Sequence, residues 1–275
     1  MTTGDVDQPD RPGAALSVVV PVYGCAGTVA LLHRRVVDAL SPLVERFELI
    51  LVDDCSHDGA WPMMRALAER DSRVVACRLV SNVGQSLAIA AGLAHASGDH
   101  AVVMDCDLQD PPEAIADLYR AVQADVDIVF GRRTGKYRSV TRQLAKKIYV
   151  AFFALAVGRP FDSELGSFGV VSRRVIDAVL RMNDPNFNYF MALCWLDVPK
   201  TNVSYRREQR SVGRSSYNIR RLLFLIASIM VFAKRWHYER PANWIGGERF
   251  YAIAEIVDRR NDARHPVYAA AEEAP

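Results

Sequence analysis

Several familiar signals are missing from this chain of 275 residues. It has no G-x-G-x-x-G after its first apolar run and no G-x-x-x-x-G-K-[ST] anywhere, which excludes the dinucleotide-binding and Walker solutions to phosphate binding. The net charge of +2 argues against a general nucleic-acid-binding protein, because such proteins carry a strong basic excess or stripe. No apolar run approaches the ~20 residues that a membrane-spanning helix needs. We therefore expect no transmembrane span and no nucleic-acid partner.

Cysteine is scarce, and its spacing is informative. The five cysteines are widely separated and none forms a C-x-x-C pair, so we expect neither a disulfide framework nor a zinc site. Residues 1–14 are polar, lack the basic and apolar parts of a signal peptide, and are expected to be flexible. Together these features predict a cytoplasmic protein.

The chain does contain a regular alternation of apolar, strand-like runs with helical patterns. Such alternation with short connections predicts an α/β fold, in which a mostly parallel, Rossmann-like sheet carries helices on both faces. The predicted strands are 16–22, 47–52, 74–80, 101–104, 127–130 and 197–207, with a further short strand inside 163–172.

The segment DCDLQDPPE at 105–113 joins the fourth predicted strand to a helix start. Residues two apart on an extended strand point to the same side, so the carboxylates of Asp105 and Asp107 are expected to converge. Mg²⁺ and Mn²⁺ prefer oxygen ligands, and Mg²⁺ commonly takes one or two carboxylates plus substrate phosphates. Gln109 could add a carbonyl oxygen. The pattern predicts a divalent metal site, with an acidic, solvated turn as the alternative.

Polar residues also follow the first three predicted strands: Tyr23 the first, Asp53 and Asp54 the second, and Asn82 the third. In parallel sheets ligands bind outside the carboxyl ends of the strands. At such an edge a tyrosine can stack on a base, and a carboxylate can accept hydrogen bonds from a ribose or a base. The alternative for Asp53 and Asp54 is a local turn or a helix cap.

Two basic stretches are suited to binding phosphate. Arg133 follows the fifth predicted strand, and an arginine fork there suits bidentate phosphate binding, with an exposed basic helix face as the alternative. Arg210 and Arg214 are separated by small residues, which is typical of a mobile loop that closes over a diphosphate. A plain flexible linker fits that loop equally well.

The apolar run at 222–233 is flanked by basic and aromatic residues. Its composition fits a helix lying in a membrane interface. A buried helix or a contact between copies of the chain fits as well. The sequence therefore leaves open both a peripheral membrane contact and a homo-oligomer.

The ordered set of motifs resembles that of family-2 glycosyltransferases of the GT-A fold. It is most similar to the branch that includes dolichyl-phosphate mannose synthases and bacterial undecaprenyl-phosphate glycosyltransferases. The resemblance covers about residues 17–217. It rests on VVVPVY at 18–23, LVDDCSHDG at 51–59, NVG at 82–84, AAGLAHASGD at 90–99, DCDLQDPPE at 105–113, GRR at 131–133 and RSVGRSSY at 210–217.

The resemblance implies a GT-A catalytic domain at 15–217, followed at 218–275 by a helical extension and tail without a membrane span. It implies an inverting, Mg²⁺- or Mn²⁺-dependent enzyme that moves one sugar from a nucleotide-sugar donor to a polyprenyl phosphate. The alternative is a soluble glycosyltransferase acting on the hydroxyl of a small molecule. The residues expected to bind the nucleotide sugar are Pro21, Val22, Tyr23, Asp53, Asp54, Asn82, Gln85, Asp105, Cys106, Arg210 and Arg214. The expected metal ligands are Asp105, Asp107 and Gln109, and the residues expected to act in catalysis are Asp107, Arg133, Asp162 and Glu164.

Three departures from the family pattern bear on these expectations. Gly24 and Cys25 stand where the family usually has Asn and often Glu, the transmembrane helices of many lipid-acceptor relatives are not seen, and the Q-x-x-R-W motif of processive members is absent. We therefore expect a single transfer by a cytoplasmic protein, and a peripheral membrane contact stays open. A polyprenyl phosphate is already ionised near neutral pH and needs no base, because its second pKa is about 6. A hydroxyl acceptor would need one, for which Asp162 and Glu164 are the candidates.

Overall fold

The computed structural model describes the chain at residues 15–122, 125–134, 150, 162–182, 184–208, 230–231, 249–260 and 268–269. The expected flexible segment 1–14, the loop carrying Arg210 and Arg214, and most of the apolar run at 222–233 lie outside these residues. No helix in the described part of the chain is long and apolar enough to cross a membrane.

A nine-stranded sheet runs through the molecule in the order β7-β5-β6-β4-β1-β2-β3-β8-β9. Strand β1 pairs in parallel with β2 and β4, β2 pairs in parallel with β3, and β5 pairs in parallel with β7, whereas β6 and β8 run antiparallel to their neighbours. The prediction of a mostly parallel sheet is confirmed. The strands are β1 (Leu16–Val22), β2 (Phe47–Asp53), β3 (Val74–Leu79), β4 (His100–Val103), β5 (Ile128–Thr134), β6 (Leu165–Ser172), β7 (Lys200–Arg206), β8 (Ile253–Asp258) and β9 (Tyr268–Ala269).

Helices cover both faces of this sheet, as expected. Successive side chains of β1 alternate between two buried clusters, because neighbouring residues of a strand point to opposite faces: Val18 and Val20 pack in one cluster and Val19 in the other. Helices α1, α2 and α4 lie over the first cluster and α3, α5 and α6 over the second. The helices are α1 (Ala26–Leu40), α2 (Ala60–Arg70), α3 (Gln85–Ala94), α4 (Ile115–Arg120), α5 (Arg173–Leu180) and α6 (Tyr189–Trp195), and a 3₁₀ turn at Pro112–Ala114 precedes α4.

Helix α3 approaches the sheet closely at Gly92. A methyl group placed on this residue would lie 3.0 Å from Cγ2 of Val52 and closer still to Cγ1 of Val19. Both valines are fully buried in the centre of β1 and β2. The absence of a side chain at position 92 therefore sets how near α3 can pack to the sheet.

The carboxy-terminal region contributes a strand that the sequence did not predict. In segment 218–275, for which we expected a helical extension and tail, Ile253–Asp258 forms β8, which pairs antiparallel with β3. Only Val257 of this strand is fully buried, so the alternation of apolar and polar residues that marks a strand is weak there. Segment 218–275 therefore adds at least this strand to the central sheet.

Candidate active site

The predicted site residues that the structure describes meet at one edge of the sheet. Strands β1 to β5 and β7 point the same way, so their carboxyl ends share that edge. Strand β6 runs in the opposite direction and begins there, with Leu165 beside Arg132. The topology thus brings Asp162 and Glu164, which precede β6, to the same edge as the acidic segment that follows β4.

The acidic segment forms a tight turn after β4. The side-chain amide of Gln85 donates to Oδ1 of Asp105 at 2.6 Å, and the backbone N–H of Gln109 donates to Oδ1 of Asp107 at 3.1 Å. Between them Leu108 adopts a left-handed backbone with φ of 58°, which a branched side chain rarely takes, and its side chain is fully buried. The buried leucine anchors the turn directly after the two aspartates, which lie at the edge of the sheet.

The charges at this turn fit a divalent cation. Removal from water, together with the negative charges of Asp110 and Asp107, raises the pKa of Asp105 above its usual range. A bound cation would offset this charge, and two carboxylates with substrate phosphates are a donor set that Mg²⁺ or Mn²⁺ takes. Within the described residues no three His, Cys, Asp or Glu side chains are grouped to hold a metal unaided. Asp105 and Asp107, with Gln109 beside them, fit a metal whose shell is completed by substrate oxygens.

A disulfide joins this turn to the loop after β1. Cys25 is bonded to Cys106, with their Cα atoms 6.2 Å apart, and Cys55, Cys77 and Cys194 are free. We expected no disulfide framework, and this single bond was not predicted. It forms because two cysteines 81 residues apart in sequence follow neighbouring parallel strands. The bond places Cys106, a predicted nucleotide-sugar residue, against the loop whose Tyr23 is 49% exposed.

The predicted nucleotide-binding residues at the ends of β2 and β3 have partners within the protein. The buried Asp53 accepts from the backbone N–H of Ser56 at 2.9 Å, and its other oxygen is 3.4 Å from Nε of Arg78. Asp54 accepts from the N–H groups of residues 83 and 84 at 2.7 and 3.0 Å, while Asn82 donates to the Asp54 carbonyl at 3.0 Å. Burial raises the pKa of Asp54. Both carboxylates therefore organise local turns, and a direct nucleotide contact by either stays a prediction.

Pro21 and Val22, also predicted to meet the nucleotide sugar, are buried at the end of β1. Their side chains belong to the interior, so the exposed residue at this strand end is Tyr23. Any contact of Pro21 or Val22 with a ligand would pass through the backbone.

A buried carboxylate, Asp110, gathers the basic side chains of the site. Asp110 is 1% exposed and accepts a short hydrogen bond from the Tyr205 hydroxyl. Nη2 of Arg133 is 3.6 Å from one Asp110 oxygen, and Nε of Arg207 is 3.5 Å from the other. Burial and the charge of Asp110 raise the pKa of Tyr205, which keeps its hydroxyl protonated as a donor. The predicted phosphate ligand Arg133 therefore lies within this cluster.

The two carboxylates proposed as a base have different surroundings. Oδ2 of Asp162 accepts from Nε of Arg132 at 2.7 Å, and Oδ1 accepts from the backbone N–H of Glu164 at 2.9 Å. The backbone N–H of Arg133 donates to the Glu164 carbonyl at 2.9 Å. Both residues thus lie beside Arg133, and the Asp162 carboxylate is engaged by an arginine.

Three members of the site escaped the sequence analysis: Asp110, Tyr205 and Arg207. Asp110 stands three residues beyond Asp107 in the same acidic run, and Arg207 directly follows β7. The rule that ligand-binding residues follow parallel strands would have included Arg207 had the end of β7 been treated like the ends of β1 to β5. Tyr205 had no comparable signal, because its role depends on the long-range pairing of β7 with β5.

The sheet and the helices that cover it have the GT-A fold. The family model described as "Glycosyl transferase family 2" matches residues 17–186, and the chain belongs to that family.

Known proteins of this kind are similar over most of the chain. The undecaprenyl-phosphate 4-deoxy-4-formamido-L-arabinose transferase of Photorhabdus laumondii is 31% identical over 221 residues, which are 78% of this chain and 66% of that relative. The match thus spans just under two thirds of the relative's length. A Pyrobaculum calidifontis mannosyltransferase, solved with GDP-Man and Mn²⁺, has a TM-score of 0.55 at 16% identity, over 83% of this chain and 71% of that one. Glucosyl-3-phosphoglycerate synthase from Mycobacterium tuberculosis has a TM-score of 0.53 at 22% identity, over 81% of each chain. The two solved structures establish the likeness of fold.

Proposed function

We propose that the protein transfers a single sugar, with inversion at the anomeric carbon, from a nucleoside diphosphate sugar to a polyprenyl phosphate. The observation that carries the proposal is the pairing of Asp105 and Asp107 with the Arg133 cluster at one sheet edge. Carboxylates that hold a divalent cation, next to arginines, suit a diphosphate leaving group. The Photorhabdus laumondii relative, named for an undecaprenyl-phosphate acceptor, supports the choice of acceptor.

In this reaction the protein binds and orients groups that already carry charge. A cation held by Asp105, Asp107 and Gln109 would neutralise charge on the departing diphosphate. Arg133 and Arg207 offer N–H donors beside it, and Arg210 and Arg214, outside the described residues, would add positive charge from their loop. Tyr23 is exposed at the edge and placed to stack on the base. We assign the nucleotide to this end of the site, over the turns held by Asp53 and Asp54.

A phosphate acceptor also agrees with the state of the candidate bases. An ionised phosphate oxygen attacks without losing a proton, so no general base is required. Oδ2 of Asp162 lies 2.7 Å from Nε of Arg132, so this carboxylate already has a partner in the protein. A hydroxyl acceptor would instead make Asp162 or Glu164 essential.

A polyprenyl acceptor resides in a membrane, so we also propose that the protein works at a membrane surface. In the apolar run at 222–233 the structure describes Met230 and Val231, which are 54% and 51% exposed. Exposed apolar side chains of this kind suit an interfacial contact. Sedimentation with and without anionic vesicles would test this, and equal recovery in the supernatant would contradict it.

The experiment for the reaction itself is mass spectrometry of products from a panel of UDP-, GDP- and dTDP-sugars. Each donor is incubated with Mg²⁺ or Mn²⁺, and with either a polyprenyl phosphate or a set of soluble alcohols. We expect one donor to give a glycosylated polyprenyl phosphate and free nucleoside diphosphate. Glycosylated alcohols alone would favour the soluble-acceptor alternative, and release of pyrophosphate would indicate nucleotidyl transfer.

A further inference from the structure

The Arg133 guanidinium is held by two side chains that lie far apart in the sequence, Tyr205 and Asp110. Its Nε donates to the Tyr205 hydroxyl at 3.2 Å, and its Nη2 faces Asp110 at 3.6 Å. The Tyr205 hydroxyl in turn donates to Asp110, so tyrosine and carboxylate act as one unit. The Arg133 side chain is 23% exposed and that of Asp110 is 1% exposed. Asp110 and Tyr205 therefore contact the arginine from its buried side.

Two glycines make room for this arrangement. A Cβ atom on Gly166 of β6 would lie 2.9 Å from Nη2 and 3.1 Å from Cζ of Arg133, so the guanidinium rests directly against the Gly166 backbone. A Cβ atom on Gly131 of β5 would lie 2.9 Å from Cε1 of Tyr205. Because neither glycine has a side chain, the Arg133 guanidinium can pack against the backbone at position 166 and the Tyr205 ring against the backbone at position 131.

Within the described part of the chain, no further side chain is seen to bind the remaining N–H groups of Arg133. Among the residues that the structure describes, Tyr205 and Asp110 are the side-chain partners of this guanidinium. Arginine has five N–H donors in a rigid fork, and these two contacts occupy one side of it. The other side is left to bind the paired oxygens of a phosphate.

We propose that Asp110 and Tyr205 are positioning residues, which hold Arg133 over Gly166 so that its free N–H groups meet a phosphate of the substrate. This inference rests on the proposed function. The phosphate belongs either to the donor diphosphate or to the polyprenyl acceptor, since both present the same oxygens.

The first test is a double-mutant cycle. Tyr205→Phe removes the hydroxyl but keeps the ring, whose edge-to-face packing on Phe168 has a centroid distance of 5.0 Å. We expect Tyr205→Phe to lower kcat/KM about tenfold and Arg133→Ala to lower it further. The double variant should be no worse than Arg133→Ala alone, because the tyrosine acts through the arginine. Losses that multiply in the double variant would overturn the positioning role.

Two further variants sharpen the result. Gly166→Ala should displace the guanidinium and reduce kcat/KM to a similar extent as Tyr205→Phe, again with no added loss when Arg133 is already alanine. Tyr119→Phe is the matched control, since Tyr119 packs on His100 at the opposite end of β4 with ring centroids 6.1 Å apart. It should leave kcat/KM unchanged, and equal losses in both tyrosine variants would mean that the effect is general.

Separate Michaelis constants identify the phosphate. A rise confined to the donor KM in Tyr205→Phe and Gly166→Ala assigns Arg133 to the diphosphate, and a rise confined to the polyprenyl phosphate KM assigns it to the acceptor. A change in kcat with neither KM affected would place the contact in the transition state.

A binding measurement keeps this inference testable even if no donor is turned over. The same variants are titrated calorimetrically with inorganic pyrophosphate and Mn²⁺, and with inorganic phosphate alone. We expect Tyr205→Phe and Arg133→Ala to weaken binding of one probe non-additively. Absence of turnover by the unchanged protein counts against the proposed function, whereas unaltered binding of both probes in all variants overturns the positioning role.

Discussion

At the scale of single residues, the proposed metal site depends on the negative charge of the acidic turn. We predict that Asp107→Asn, which keeps the size of the side chain but removes its charge, reduces metal-dependent transfer by about 10²–10³-fold, the usual cost of losing one preorganised electrostatic contact. Transfer rates measured across Mg²⁺ or Mn²⁺ concentrations check this.

The matched control for that substitution is Asp117→Asn. Asp117 is exposed on α4 and pairs with Arg120 at 2.9 Å, so its loss should leave both transfer and thermal unfolding unchanged. Full metal-dependent activity of Asp107→Asn would refute the assignment of the metal site.

The Cys25–Cys106 bond allows a second prediction at this scale. In the denatured, unreduced protein three thiols should react with a thiol reagent, and five should react after reduction. Because the bond closes a loop of 81 residues, replacing both cysteines by serine should lower the free energy of unfolding by about 4 kcal/mol on the chain-entropy account. Five reactive thiols before reduction would show that the bond does not form in solution.

The sequence predicted Asp105 and Asp107 because a strand has a period of two residues and ligand sites follow parallel strands. The same reasoning missed Asp110, whose importance comes from Arg133 and Tyr205, residues that lie far from it in sequence. A cluster assembled from β5, β7 and the turn after β4 has no local pattern. Asp54 shows the converse. Its position at a strand end suggested a bound ligand, whereas both of its carboxylate oxygens accept hydrogen bonds from backbone N–H groups of the next loop.

At the scale of elements, the close packing of α3 against β1 and β2 depends on Gly92. We predict that Gly92→Ala lowers the free energy of unfolding by about 1–3 kcal/mol, because an added methyl group meets two valines that cannot move without disturbing the core. Denaturant unfolding followed by circular dichroism measures this. Ala94→Ser on the exposed end of the same helix should stay within about 0.5 kcal/mol of the unchanged protein. Equal stability of the Gly92→Ala protein would mean that α3 stands further from the sheet.

The strands differ in how far their local composition predicts them. Strands β1 to β4 are apolar and buried on both faces, so their composition alone indicated them. Strand β8 lies between β3 and β9 and has one fully buried residue, and its place is set by pairing with β3, almost 180 positions earlier in the chain. Tertiary pairing of this kind leaves little trace in local composition.

At the scale of the whole molecule, a buried ion pair ties the end of β8 to the centre of the sheet. Glu48 of β2 is 2% exposed and accepts from Ser17 and from Ser97, and Arg260 contacts it from beyond β8. Arg260 also donates to the His95 carbonyl at 2.9 Å. One charged residue of the carboxy-terminal segment therefore closes a network at the amino ends of the central strands.

This network yields a prediction about how the carboxy-terminal segment stabilises the fold. Arg260→Met should lower the free energy of unfolding by about 3–5 kcal/mol, because removing one partner leaves a buried carboxylate without its counter-charge. The double variant Glu48→Gln with Arg260→Met should recover part of that loss, since the side chain at position 48 is then uncharged. The recovery should be incomplete, because Asp258, whose Oδ2 lies 2.6 Å from Nη2 of Arg260, loses its partner in both variants. Arg174→Met is the control, because Arg174 is 72% exposed and its pair with Asp127 should contribute less than about 1 kcal/mol. If Arg260→Met unfolds like the unchanged protein, the segment after β8 is not held to the sheet through Glu48.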